Sequence, residues 1–318
     1  DQSVMSEHII FMIHGITDGS NVERDFESLK KLLQPKLRRD SKNFKLVGIN
    51  WSPSTISGKS VIYNRCFGKI EAGDRALVDA TLYPMQLNPH LLGSVFHIPS
   101  PFCLLKSHWH AWRGWRYFST LFVGDIIAYT DENDNGIRRS VWKQMYEELS
   151  GYGDQLPEVS IIGHSLGSVI AYDFVWALLG EEKPRIFSMG SDEGDKVGED
   201  WLLKLRDTYR NLITVGSPVG LFLMRNKKFW DSSMQSDDRS VIRNLKNPLT
   251  KGKHKWLNIF DTDDFVGYPL APLFSSAENA DTAAAPVDLE VESNWFPPVS
   301  HVNYWKNGKT ASLIANAF

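Results

Sequence analysis

The chain has 318 residues, of which 42% are hydrophobic and 23% charged, and its net charge at pH 7 is −3. This composition is typical of a globular protein and excludes the disordered, collagenous and membrane-spanning classes. With 35 Lys and Arg against 38 Asp and Glu, the chain lacks the basic excess that holds a phosphate backbone, so we expect no nucleic-acid partner.

A chain of this length can form one large domain or two ordinary ones. We predict one domain over 1–318, because no segment has the composition of a free linker. The start, Asp1–Glu7, shows no basic region followed by an apolar one, and no apolar run reaches the ~20 residues needed to cross a bilayer. Two cysteines, Cys66 and Cys103, are too few for a disulfide scaffold, although a single disulfide between them stays an alternative. We therefore expect a cytoplasmic location, noting that a trimmed leader would leave no trace here.

The predicted elements alternate between strand and helix from the start of the chain. His8–Ile13 is a nearly continuous apolar run, typical of a strand covered on both faces. Apolar residues at helical spacing predict a helix over Phe26–Leu37. Phe44–Trp51 is the next predicted strand, and after a long irregular stretch Val141–Leu149 is a second amphipathic helix.

The second half of the chain continues this alternation. Glu158–Ile162 is a predicted strand and Val169–Leu179 a predicted helix. Asn211–Val215 and Lys255–Phe260 are further strands, and Val287–Val291 could supply one more. Strands separated by helices predict an α/β fold, with a doubly wound, mostly parallel sheet flanked by helices.

Gly163-His164-Ser165-Leu166-Gly167 is the only G-x-S-x-G pattern in the chain. The bare pattern arises by chance in about one chain in ten of this length. The surrounding sequence therefore decides whether it marks a nucleophile elbow. The apolar run Val159–Ile162 leads into it and a helix leads out, which is the strand–turn–helix geometry of a nucleophile elbow. Glycines flank such a turn because a Cβ there would collide with neighbouring backbone. The pattern predicts a nucleophilic Ser165 exposed at the carboxyl edge of the sheet, the alternative being an ordinary glycine-rich turn.

On this motif the sequence resembles the α/β-hydrolase superfamily, in particular its lipase and esterase branch. In that branch the run GHSLGS, followed by a helix of small and apolar residues, is typical. The resemblance covers most of the chain in the order of its elements but rests on four short motifs. It implies an eight-stranded, mostly parallel sheet, hydrolysis of an ester or related bond, and the order serine, acid, histidine along the chain.

The resemblance places the nucleophile at Ser165 and the base at His301. A serine hydroxyl needs an imidazole within reach and a carboxylate that orients the imidazole. His301 lies in a loop beyond the last predicted strand, just before the C-terminal helix, which is the position of the base in this superfamily. His254, the other downstream histidine, precedes its strand and would lie at the wrong edge of the sheet.

Three carboxylates follow the strand Lys255–Phe260, where the resemblance places the acid: Asp261, Asp263 and Asp264. The acid of the superfamily is often followed by two apolar residues and a turn toward proline. Asp264 fits this pattern best, because Phe, Val, Gly, Tyr and Pro follow it. Asp261 and Asp263 stay as alternatives.

The third motif is His14-Gly15-Ile16, at the end of the first predicted strand. In the superfamily this loop supplies one backbone N–H of the oxyanion hole, and the residue after the nucleophile supplies the other. The resemblance therefore implies that Ile16 and Leu166 form the oxyanion hole. We expect His14 to hold the loop rather than to take part in the reaction.

The residues 52–122 form a predicted insertion, rich in proline, glycine and aromatic residues. Trp109 and Trp112 are at helical spacing and are candidate substrate-binding residues if the insertion is a lid or a membrane-facing cap. The alternative is an insertion helix packed on the core, which is the more common role of such a stripe. His108 and His110 have no third ligand at a recognisable spacing, so we expect no metal.

These motifs together predict a serine hydrolase that cleaves carboxylic esters through an acyl-enzyme on Ser165, with no cofactor. The expected partner is a small-molecule or lipid ester with an apolar acyl group, and contact with a lipid surface would follow from an aromatic cap. A thioesterase or an acyltransferase would use the same three side chains. A noncatalytic interaction protein on the same fold is the alternative from another class.

Overall fold

Six parallel strands form one sheet in the computed structural model, which describes residues 7–16, 21–37, 43–67, 69, 120, 122–130, 136–179, 198–225, 254–274, 285–293 and 297–318. The strands are β1 (Glu7–Ile13), β2 (Asn43–Ile49), β3 (Glu158–His164), β4 (Tyr209–Val215), β5 (Lys255–Phe260) and β6 (Val287–Glu290). Their order across the sheet is β2-β1-β3-β4-β5-β6, and every neighbouring pair is parallel. This confirms the predicted α/β class, with six strands in the described residues where the resemblance implies eight.

Helices cover both faces of the sheet. In chain order they are α1 (Val22–Leu37), α2 (Pro53–Phe67), α3 (Gly136–Ser150), α4 (Leu166–Leu179), α5 (Glu199–Thr208), α6 (Pro297–Asn303) and α7 (Gly308–Ala315). A further helical segment spans 122–130. Short helical turns lie at Val219–Phe222, Leu223–Arg225, Ala271–Phe274 and Tyr304–Lys306.

Two apolar cores lie on opposite faces of the sheet, and β1 contributes to both. Its residues Ile9, Phe11 and Ile13 join the core beneath α3, α4 and α5, whereas Ile10 and Met12 join the core beneath α1 and α7. Side chains alternate between the faces of a strand, so a strand that is covered on both sides must be apolar at nearly every position. This explains the continuous apolar run that predicts β1.

The sequence pattern predicts an irregular stretch over 52–122, but α2 occupies its first part. Serine, threonine and glycine are frequent in α2, and these residues have low helix propensity. Pro53 opens the helix at its first position, where proline is favoured. Trp109 and Trp112 lie outside the described residues, so a lid in this region stays a prediction.

The described residues bear on two expectations, the absence of a membrane-spanning helix and a disulfide between Cys66 and Cys103. None of the helices there is both long enough and apolar enough to cross a membrane. Cys66, on α2, is exposed and forms no disulfide. Cys103 lies outside the described residues.

The strand order places a crevice at the carboxyl ends of β1 and β3. The chain passes from β1 to β2 on one side and later from β3 to β4 on the other, so the direction of winding reverses between β1 and β3. Open parallel sheets bind ligands at such switch points. His14 and Gly15 follow β1 and Ser165 follows β3, so the topology brings both motifs to the crevice.

Candidate active site

Ser165 occupies the tight turn between β3 and α4. Its φ is +52°, and among the described residues no other non-glycine residue has a positive φ. Its backbone N–H donates to the carbonyl oxygen of Val215 at 3.0 Å, which ties the turn to the end of β4. The residue is only 2% exposed, so the expectation of an exposed serine is wrong: the hydroxyl is covered by neighbouring residues.

The flanking glycines allow the backbone to approach closely on both sides of this turn. A Cβ on Gly163 would lie 2.5 Å from the Cα of Ser168. A Cβ on Gly167 would strike the carbonyl oxygens of Ile13 and His14 at the end of β1. Both contacts are with backbone atoms, which cannot move aside, so the turn requires glycine at each position.

A continuous chain of hydrogen bonds joins Ser165, His301 and Asp264. Ser165 Oγ lies 2.9 Å from Nε2 of His301, and Nδ1 of His301 lies 2.9 Å from each carboxylate oxygen of Asp264. The carboxylate can only accept, so Nδ1 carries the imidazole proton and Nε2 is free to accept from the hydroxyl. The structure therefore brings together the three side chains that the sequence analysis placed at the nucleophile, base and acid positions.

Asp264 is a buried carboxylate with three donors around it. Besides His301, the backbone N–H of Val266 donates to Oδ1 and the hydroxyl of Tyr304 donates to Oδ2, each at 2.9 Å. Burial raises the pKa of Asp264, but the hydrogen bonds and charge of His301, with the donors Val266 and Tyr304, outweigh it and lower the pKa overall. The group is therefore an ionised carboxylate at neutral pH.

The other two carboxylates of this loop lie elsewhere. Asp261 is buried, and its Oδ2 accepts from both the backbone N–H and the hydroxyl of Ser293 at 2.7 Å. Its Oδ1 accepts from the backbone N–H of Asp263 at 2.9 Å. The side chain of Asp263 is exposed. Asp261 thus shapes the loop, and Asp264 is the member of the three that contacts His301.

His254 lies far from this chain of hydrogen bonds. It immediately precedes β5, and its ring centroid is 5.5 Å from that of Tyr209, the first residue of β4. Both residues are at the amino ends of parallel strands, at the edge of the sheet opposite to His301.

The loop after β1 packs directly against the serine. A Cβ on Gly15 would lie 2.5 Å from the Cβ of Ser165 and 3.1 Å from its Oγ. The peptide group of Ile16 follows at once, and Ile16 is half-buried against the core. Leu166 is the first residue of α4, so its N–H has no acceptor within the helix and lies at the positive end of the helix dipole.

His14 fastens this loop as a neutral imidazole. Its Nδ1 donates to the carbonyl oxygen of Gly15, and the backbone N–H of Trp51 donates to its Nε2 at 3.2 Å. Its ring stacks on that of Trp51, with centroids 4.9 Å apart and planes 8° apart. Burial lowers the pKa of His14 to about 4, although the carbonyl oxygen of Gly15 and the side-chain oxygen of Asn50, which would accept from the protonated ring, act in the opposite direction.

His164, which the motif treats as a variable position, supports the main chain of His301. Its Nε2 donates to the carbonyl oxygen of His301 at 2.7 Å, and the indole N–H of Trp305 donates to its Nδ1 at 3.1 Å. Burial, followed by the nearby His301, lowers the pKa of His164 to about 3, so the imidazole is neutral. Neither Trp305 nor Tyr304 was a sequence candidate, because nothing in their local pattern differs from an ordinary aromatic pair before a helix.

Trp109 and Trp112, the candidate substrate-binding residues, lie outside the described part of the chain, so the structure does not place them. Within the described ranges, no three His, Cys, Asp or Glu side chains cluster as metal ligands would. Comparison with protein-family models and with curated proteins gave no match.

Proposed function

We propose that this protein is a serine hydrolase of the α/β-hydrolase type, which cleaves carboxylic esters through an acyl-enzyme on Ser165. The observation that carries the proposal is the chain from Ser165 Oγ through His301 to Asp264, with 2.9 Å at each contact. A serine hydroxyl is a poor nucleophile by itself, and an imidazole held by a carboxylate is the arrangement that activates it. The position of this chain at the switch point of the sheet supports the same conclusion.

Acylation would use each group of this catalytic triad in turn. Ser165 Oγ attacks the carbonyl carbon of the ester while Nε2 of His301 takes the hydroxyl proton. The carbonyl oxygen becomes an oxyanion, which the N–H groups of Ile16 and Leu166 stabilise by roughly 3–4 kcal/mol each. His301 then gives its proton to the leaving alcohol oxygen as the ester C–O bond breaks, and the acyl group remains on Ser165.

Deacylation would repeat these steps with water as the nucleophile. His301 takes a proton from the water as its oxygen attacks the acyl carbon, and returns a proton to Ser165 Oγ when the acid leaves. Asp264 stays ionised throughout and stabilises the imidazolium that forms in each half of the reaction. The lowered pKa of Asp264 supports this role, because the carboxylate keeps its charge as the site gains a positive one.

Apolar side chains at the same edge of the sheet support an ester with an apolar acyl group. Phe265 is 53% exposed, and its ring centroid is 6.1 Å from that of His301. Leu221, on the turn that follows β4, is 47% exposed. Each CH₂ group that such surfaces bury contributes about 0.8 kcal/mol to binding. Trp109 and Trp112 of the predicted insertion stay candidate substrate-binding residues.

The proposal is tested with a fluorophosphonate probe and a series of p-nitrophenyl esters of increasing acyl length. The wild-type chain should be labelled by the probe and should hydrolyse the esters. Ser165→Ala should abolish labelling and lower kcat by at least about 10³-fold, because only oxyanion stabilisation and binding remain. Ser150→Ala, at an exposed serine at the end of α3, is the matched control and should leave both unchanged.

Other outcomes would separate the alternatives. A wild-type chain that the probe does not label would contradict the proposal and favour a noncatalytic role. Labelling at Ser165 with turnover of acyl thioesters but not of oxygen esters would identify a thioesterase. Turnover that depends on an added alcohol acceptor would identify an acyltransferase.

A further inference from the structure

We propose that Tyr304 is a positioning residue that fixes the carboxylate of Asp264 and, through it, tunes the basicity of His301. This inference rests on the proposed function and extends it by one residue. The hydroxyl of Tyr304 donates to Oδ2 of Asp264 at 2.9 Å, and the side chain is only 1% exposed. The triad is therefore a chain of four side chains, in which Tyr304 does not touch the reacting atoms.

The carboxylate of Asp264 has a donor on each oxygen in addition to His301. Val266 supplies its N–H to Oδ1 and Tyr304 supplies its hydroxyl to Oδ2, and Nδ1 of His301 faces both oxygens at 2.9 Å. With the two other donors on opposite oxygens, the carboxylate cannot rotate without breaking one of these bonds. The orientation of the imidazole follows from this, because Nδ1 is its anchor.

Two glycines make room for the arrangement. A Cβ on Gly216 would lie 2.7 Å from the ring of Tyr304 and 2.9 Å from Oδ2 of Asp264. A Cβ on Gly267 would lie 2.6 Å from the same oxygen. The backbone therefore closes around the carboxylate and the phenol together, and the contact is built into the fold at the ends of β4 and β5.

The hydroxyl of Tyr304 also affects how strongly the carboxylate of Asp264 attracts a proton on the imidazole of His301. A donor on Oδ2 draws electron density from the carboxylate and weakens its attraction for a proton on His301. Burial and the charge of Asp264 raise the pKa of Tyr304, so the phenol stays a protonated donor around neutral pH. Removing this hydroxyl should make Asp264 a stronger acceptor for Nδ1 and His301 a stronger base.

The other titratable groups that face this pair would not change with Tyr304. His164, at the end of β3, has its ring centroid 5.0 Å from that of His301 and is kept neutral by burial. Asp261, on the same loop as Asp264, acts on Tyr304 by its charge but is held by Ser293. A shift in the pH dependence of Tyr304→Phe would therefore report the missing hydroxyl.

The turn Tyr304–Lys306 secures both members of the pair. Tyr304 holds Asp264, and the next residue, Trp305, donates to His164, which in turn donates to the carbonyl oxygen of His301. The turn begins three residues after His301, directly after α6. One short segment thus fixes the acid by a side chain and the base by its main chain.

Tyr304→Phe removes the hydroxyl and keeps the ring. We expect kcat for a p-nitrophenyl ester to fall about tenfold with KM unchanged, because one hydrogen bond to a charged group is lost. The midpoint of the kcat/KM–pH profile should move to higher pH. Tyr209→Phe is the matched control, since Tyr209 is also fully buried, lies at the far edge of the sheet and has a hydroxyl with no hydrogen-bond partner in the described structure. Tyr209→Phe should change neither kcat nor the midpoint of the pH profile.

A second measurement does not depend on turnover. The proton on Nδ1 of His301 should give a far-downfield NMR resonance, which moves further downfield in Tyr304→Phe and stays in place in Tyr209→Phe. A fluorotyrosine at position 304 keeps the contact but donates more strongly, so it should move the resonance in the opposite direction and tests the proposal if Tyr304→Phe fails to fold.

Resonance and pH profile together decide the proposal. If Tyr304→Phe leaves both unchanged, Tyr304 is a packing residue and the inference is wrong, even where activity falls. If the wild-type chain shows no hydrolysis that depends on Ser165, the proposed function is wrong, and the resonance alone still decides whether Tyr304 tunes the pair.

Discussion

Ser165 is held in a backbone conformation that most residues avoid. A φ of +52° is a left-handed conformation that costs about 1–2 kcal/mol for a residue with a Cβ. Three hydrogen bonds hold it: Ser165 N–H donates to Val215, and the N–H and hydroxyl of Ser168 both donate to the carbonyl oxygen of Ser165. This conformation directs the hydroxyl toward His301, and it does not depend on the hydroxyl itself. Ser165→Ala should therefore fold normally.

The acid is tested at the level of single residues by Asp264→Asn. An asparagine at this position would favour the wrong imidazole tautomer and could not stabilise imidazolium, so kcat should fall by about 10⁴-fold. Asp263→Asn, at the exposed neighbouring carboxylate, is the matched control and should keep nearly full activity. The measurement is kcat for a p-nitrophenyl ester above pH 7.

Asp261→Asn should give a different result from either neighbour. Its Oδ2 holds Ser293, so the variant should unfold at a lower temperature than the wild type and lose comparatively little in kcat when folded. A larger loss of kcat in Asp261→Asn than in Asp264→Asn would contradict the assignment of the acid.

At the level of elements, the sequence predicts the strands better than it predicts the insertion. A parallel strand covered on both faces must be apolar along its length, so β1, β3 and β4 are evident as apolar runs. The helix α1 begins at Val22, four residues before the predicted start. The apolar spacing does not indicate its first turn, because that turn is mostly polar. The helix α2 has no comparable apolar stripe, and its contacts are not evident from local sequence.

Pro35 gives a prediction about α1. It lies inside this helix and is exposed, and it has no N–H to donate to the preceding turn. Pro35→Ala should raise the free energy of unfolding by about 1–2 kcal/mol, which is the gain in helix stability less the greater entropy of the unfolded chain. Urea unfolding measures the change, and Gln34→Ala, at the exposed neighbour, is the control. A decrease in stability would contradict this expectation.

At the level of the whole molecule, the site is assembled from the carboxyl ends of five strands. Gly15 follows β1, Ser165 follows β3, Gly216 follows β4, Asp264 follows β5 and His301 comes after β6. Sequence motifs predict the loops after β1, β3 and β5 and the position of His301 separately, because each follows its own predicted strand. They do not rank the carboxylates after β5 by geometry or point to Tyr304, because both depend on contacts between residues 37 and 40 positions apart in the chain.

Assembly at this edge also buries two neutral histidines, and this predicts how the stability of the whole protein depends on pH. The pKa of His14 is lowered to about 4 and that of His164 to about 3, whereas both titrate near 6.5 in the unfolded chain. As the pH falls from about 6.5 to about 4, the unfolded chain takes up two protons that the native protein does not. The free energy of unfolding must therefore fall over this range.

The two histidines together should remove a substantial part of the protein's stability. By pH 4.5 each histidine should remove roughly 2–3 kcal/mol, against a total stability of about 5–15 kcal/mol for a typical domain. Urea midpoints measured from pH 7.5 to 4.5 should fall steadily, before the range in which most carboxylates take up protons. His14→Gln should be less stable at pH 7.5 but should lose about half as much on acidification, since one of the two ionisations is removed. A wild-type stability that stays level from pH 6.5 to 4.5 would contradict neutral burial of these histidines, because a histidine charged in both states contributes no slope.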